Sequence, residues 1–133
     1  MGGEVLYAGK PYRPIYDLAL AKAQAAAGRK LALSRVLAIG DSVRTDLKGA
    51  RSVGVDFLFV TSGIHAEELG GRARPDSKAL SATFAAAGEM PKAVMRELVW
   101  CGVRRIENAD GYRFRNTASI LLLSVCALNG LTI

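Results

Sequence analysis

The chain has 133 residues, half of them hydrophobic, which suits one globular domain with a modest core and is short for a complete two-domain enzyme. Its formal charge of +6 is scattered: only Arg104-Arg105 and the series Arg13, Lys22, Arg29, Lys30 are locally basic, the latter on the solvated side of an expected helix. No aromatic side chains interleave with these charges to stack bases, so the balance argues against nucleic acid and for attraction of anionic, phosphorylated small molecules. Cys101 and Cys126 form neither a CxxC pair nor a disulfide framework, so they read as buried and inert in a reduced, cytoplasmic compartment. The opening Met1-Gly2-Gly3-Glu4-Val5 lacks the basic and apolar regions of a signal peptide. The longest apolar run, residues 118–128, falls short of the roughly 20 residues that cross a bilayer, and reads instead as a buried helix or strand.

In chain order, Leu6-Tyr7-Ala8 is a short, strand-like apolar run ending at Gly9-Lys10-Pro11. Ile15, Leu18, Ala19, Ala23 and Ala26 then recur at helical spacing until Gly28 stops the pattern. Val36-Leu37-Ala38-Ile39 is a continuous apolar run closed by Gly40, as expected of a strand buried on both faces. A second helical pattern passes through Val43, Leu47 and Ala50, with Gly54 as its stop, and Phe57-Leu58-Phe59-Val60 forms a second buried-strand run before Thr61-Ser62-Gly63. Strand, helix, strand with short connections implies parallel pairing in a doubly wound α/β sheet. Beyond a polar loop over residues 70–77, one helical pattern runs through Leu80, Phe84 and Ala87. Another begins near Pro91 and is expected to bury Val94, Met95, Leu98 and Val99. The character changes after Trp100, itself read as core. Residues 103–106 and 112–114 flank Asn108-Ala109-Asp110-Gly111 as a candidate hairpin. We therefore divide the chain at residue 100.

The chemistry concentrates in Ile39-Gly40-Asp41-Ser42-Val43-Arg44-Thr45-Asp46, where two carboxylates lie five residues apart at a strand-to-helix turn. Ligands of open parallel sheets collect at the carboxyl ends of strands, where Asp41 must lie, and Asp46 in the first turns of the helix can point back to the same spot. One or two carboxylates, with water and substrate phosphate, are the usual holders of magnesium. An aspartate near a helix start also caps the helix and complements its dipole. Lys10, between an apolar run and a helix, can neutralise phosphate oxygens or a carboxylate, or be solvated. His65 reads as a helix-start residue with no second ligand at helical spacing.

In their order, Gly9-Lys10-Pro11, a helix, Gly40-Asp41-Ser42-x-x-Thr45-Asp46, Gly49-Ala50, Gly54 and Phe59-Val60-Thr61-Ser62-Gly63 resemble the haloacid-dehalogenase (HAD) superfamily, most closely subfamily IIA, over about residues 5–100. The resemblance implies a Rossmann-like parallel sheet with flanking helices and a magnesium-dependent phosphohydrolase acting on a small phosphorylated metabolite. It gives Lys10 the catalytic role of supporting the phosphoryl centre, Asp41 that of direct metal ligand and Asp46 a supporting acidic role at the metal. Ser42 and Thr45 would brace them.

The departure is as specific as the match. The family's nucleophile opens an Asp-x-Asp-x-Thr/Val motif after the first core strand, and no such motif occurs here; Asp110 follows no buried strand and has no partner Asp two residues earlier. The family's Thr/Ser motif and cap belong upstream of Lys10, so the chain resembles the C-terminal part of the core, and residues 101–133 lie outside the pattern. That tail is either a covering segment or the product of a shifted reading frame. A phosphoaspartyl route needs a carboxylate nucleophile, so little activity is expected of these residues alone. An alternative reading is a non-catalytic remnant or interaction module whose half-sheet is completed by another chain or by its own tail. Without the nucleophile strand, the strand over residues 36–39 is expected to keep an unpaired edge. Self-association or pairing with an upstream fragment is then favoured over covering by the tail.

Overall fold

The computed structural model describes residues 2–98 and the backbone of residues 121–124. Four parallel strands form one sheet in the order β3-β2-β1-β4, with β1 Val36–Gly40, β2 Asp56–Val60, β3 Ala93–Met95 and β4 Leu121–Ser124. Helices α1 (Arg13–Ala27), α2 (Lys48–Ser52) and α3 (Ser77–Ala87) accompany it, so the fold is the parallel, Rossmann-like α/β arrangement implied by the alternating periodicities.

Helix α1 stops where Gly28 adopts φ 62°, a left-handed conformation that glycine takes without steric cost. Its buried face carries Tyr16, Ala19 and Ala23, with Ile15 and Leu20 at the margin, while Leu18 faces solvent. In α3, the Asp76 carboxylate accepts from the amides of Lys78 (2.6 Å) and Ala79 (3.3 Å), which caps donors the helix cannot satisfy itself. Phe59 and Phe84 meet edge to face at 5.2 Å, joining β2 to α3. Burial of Phe57 and Phe59, each worth about 2–3 kcal/mol, anchors the strand that the site leans on. That strand alternates rather than burying throughout: Leu58 and Val60 are only partly covered.

Four expectations need correction. Leu6-Tyr7-Ala8 forms no strand; Leu6 is 81% exposed, and no strand among the described residues pairs with the run. Tyr7 instead stacks on Tyr12 at 4.8 Å. The helix expected from Pro91 is replaced by β3, whose residues pair with Leu58, Phe59 and Val60; Val94 is 44% exposed rather than core. Three consecutive apolar residues, one of them β-branched, suit an edge strand, and the hydrogen bonds offered by β2 override a short helical pattern. His65 sits in a series of turns, not at a helix start. Finally, the edge of β1 is not left open: Val36, Leu37, Ala38 and Ile39 pair with Leu121, Leu122, Leu123 and Ser124 of the chain's own tail. The candidate hairpin, Trp100 and both cysteines lie outside the described residues.

Candidate functional site

The loop after β1 is built around one buried carboxylate. Ser42 is extended and its hydroxyl accepts from the Thr45 amide at 3.3 Å, which makes it the cap of the turn that follows. That turn, Val43–Leu47, is a π-helix: the Asp46 and Leu47 amides both donate to the Ser42 carbonyl at 3.0 Å. The wide turn directs Asp46 back under the strand end, where its Oδ2 accepts from the amides of Asp41 (3.3 Å) and Ser42 (3.2 Å). Asp46 is thus neither a helix cap nor a solvated surface acid. A Cβ at Gly40 would overlap its carboxylate, so glycine there makes room for the acid.

Lys10 completes the arrangement. It lies in the turn before α1, closed by the Tyr12 amide donating to the Gly9 carbonyl at 2.9 Å. Its Nζ meets Asp46 Oδ1 at 2.7 Å, with side chains 18% and 2% exposed. Of the two partners open to Lys10 on sequence, the one found here is a carboxylate. At so little exposure, losing either member would strand the other's charge, which is far costlier than losing a surface pair.

Asp41 is held differently. It is half-buried, and its Oδ2 accepts from the Ile64 amide at 3.0 Å in the loop after β2. A Cβ at Gly63 would collide with the same carboxylate. Asp41 Oδ1 has no hydrogen bond to the described residues, which leaves it for water or a cation. The structure therefore brings Lys10 and Asp46 into contact, ties Asp41 to Asp46 through its amide, and places Ser42 as the cap. Thr45 enters through its backbone, whose amide meets Ser42 and whose carbonyl meets Tyr16. His65 Nδ1 meets Glu68 at 2.9 Å, with the ring near Phe59, apart from this network.

Sequence reasoning missed two contributors. Tyr16 reaches the π-turn from α1, and nothing in a helical pattern distinguishes a tyrosine that does so. Ile64 contributes only its amide, which carries no residue-type signal. Among the described residues, no three His, Cys, Asp or Glu side chains gather as a complete cation site. The donors fit one magnesium contact at Asp41, with other positions left to water and phosphate; Asp46 has both oxygens engaged and fits a supporting place.

A parallel sheet with helices beside it, and an acid–lysine cluster at a strand's carboxyl end, defines a Rossmann-like α/β domain of the HAD type. A family profile described as HAD-hydrolase-like matches residues 7–87. The chain belongs to that family. It is also similar to a solved hydrolase of the haloacid dehalogenase-like family from Brucella suis 1330, with 37% sequence identity and a TM-score of 0.52. The likeness covers 73% of this chain and 32% of that one, so the chain spans about a third of that protein's length. No curated protein matches the chain. Among the described residues, no helix is long and apolar enough to cross a membrane.

Proposed function

We propose that residues 1–100 are the C-terminal portion of a subfamily IIA core, carrying the lysine and acidic half of a phosphohydrolase site. The substrate class is a small phosphorylated metabolite and the compartment cytoplasmic. The observation that carries this reading is the buried Lys10–Asp46 pair beneath the strand end that presents Asp41. Asp41 would hold magnesium, which when bound neutralises charge on phosphoryl oxygens. Asp46 keeps the Lys10 ammonium and the Asp41 and Ser42 amides in place, so positive charge stands ready beside the ion without reorganisation. Lys10 faces the phosphoryl group as a fixed cation. Ser42 and Thr45 keep the turn in shape.

Positioned charge without a nucleophile does not complete a phosphoaspartyl cycle, and the 133 residues contain no Asp-x-Asp pair. The chain alone should show little or no magnesium-dependent hydrolysis of p-nitrophenyl phosphate while still binding phosphate and magnesium. Robust turnover that survives Lys10→Ala and Asp41→Asn would refute this assignment; turnover abolished by either change would reveal a nucleophile within the chain.

The second reading, a non-catalytic module, is favoured by the pairing of β4 with β1, which covers the β1 edge with Leu121–Ser124 of the chain's own tail. Sedimentation across a concentration series separates the two ways of completing the sheet. A stable monomer supports closure by the tail; self-association, or capture of a separately expressed upstream core fragment, supports completion by another segment.

A further inference from the structure

Tyr16 is 4% exposed, and its hydroxyl lies 3.2 Å from the Thr45 carbonyl and 3.3 Å from the Asp46 carbonyl. Those carbonyls belong to the peptide planes on either side of the Asp46 Cα. A contact with both therefore acts on the backbone angles that aim the Asp46 side chain. A side chain inserted beside a carbonyl ladder is also one of the recognised causes of departure from regular helix, and a π-turn is such a departure. A regular α-turn spaces successive side chains about 100° apart, so relaxation of this turn would swing the carboxylate away from Lys10.

A second observation agrees. Gly49 follows the π-turn in α2, where glycine is disfavoured, and a Cβ there would overlap the Tyr16 ring. The fold accepts a poor helix former to seat this ring. The same stretch of chain thus grips Asp46 twice, Lys10 by its carboxylate and Tyr16 by its backbone.

We propose that Tyr16 is a positioning residue of the site, whose hydroxyl fixes the peptide planes around Asp46 and so holds the carboxylate where it grips Lys10. The inference rests on the reading of Lys10 and Asp46 as part of a phosphate site; its test does not. In the full 15N-labelled chain, Lys10 ammonium exchange with water and the Nζ shift are recorded for the unmodified protein, Tyr16→Phe and Gly49→Ala. Tyr16→Phe removes one hydroxyl, and Lys10 exchange should rise about fivefold while amide protection in β1 and β2 persists. Gly49→Ala displaces the ring with its hydroxyl intact and should move Lys10 in the same direction.

A Lys10 signal unchanged in Tyr16→Phe overturns the proposal. So does loss of all strand protection in that variant, which would make the tyrosine a general core support. Titration of the unmodified chain with inorganic phosphate and with magnesium is read separately. If neither perturbs Lys10 or Asp41, the phosphate reading falls while the Tyr16 comparison keeps its meaning.

Discussion

The loops that follow β1 and β2 leave neighbouring strand ends and are held by opposite means. After β1, polar groups turn inward: Asp46 spends both oxygens on Lys10 and two amides, and Ser42 caps the turn. After β2, the acidic and arginine side chains turn outward, though Thr61 is buried. Glu67, Glu68 and Arg72 are exposed, Ala66 and Leu69 are buried, and the turns close on backbone bonds such as Gly71 to Ala66 at 2.8 Å. The loops touch where the Ile64 amide meets Asp41. The first is specified by electrostatics and fails through the loss of one partner. The second is pinned by apolar anchors and indifferent to its surface charges.

Five substitutions test that contrast, each read from urea unfolding midpoints. Asp46→Ala should be the most damaging, at about 4 kcal/mol, since it strands a mostly buried ammonium and leaves two amides unsatisfied. Asp46→Asn, which keeps the shape, should recover only part of the loss. Leu69→Ala should cost about 3 kcal/mol through transfer and cavity terms, the chief loss available to the second loop. Equal costs for Asp46→Ala and for removal of an exposed acid would end the distinction. Gly63→Ala probes the junction: the new methyl must displace Asp41, for about 1–2 kcal/mol of overpacking. Its signature is a shifted Ile64 amide resonance with β1 intact. Glu68→Gln, breaking a pair whose acid is 71% exposed, should change stability by less than about 0.5 kcal/mol.

The contrast also explains what could be read in advance. Elements that bury a continuous or periodic apolar set announce themselves: β1, β2, α1 and α3 follow from their runs and from stops such as Gly28. Asp41 and Asp46 are legible as neighbours because a strand-to-helix turn returns a carboxylate five residues on to the same strand end, although the pair alone reads equally as turn chemistry. The π-turn is not, because its wide geometry answers to Tyr16, distant in sequence and reached only after α1 packs. Nor is β3, three residues whose state is decided by the neighbour offering hydrogen bonds. Leu6-Tyr7-Ala8 illustrates the converse, since a strand-like run with no partner strand among the described residues stays unpaired. The run at residues 118–128 is ambiguous for the same reason, and only pairing with β1 makes part of it a strand.

That last pairing has a kinetic consequence. Strands β1 and β2 are joined by one short crossover and can align early, whereas β4 must return across the whole intervening chain to reach Val36. Closing so long a loop costs entropy before any contact rewards it, and non-local parallel pairings form slowly. The β1–β2 unit, with the π-turn between its strands, should therefore fold first and exchange its amides last. During folding the β1 edge should therefore stand open until β4 arrives, and a strand from elsewhere can compete with the chain's own in that interval.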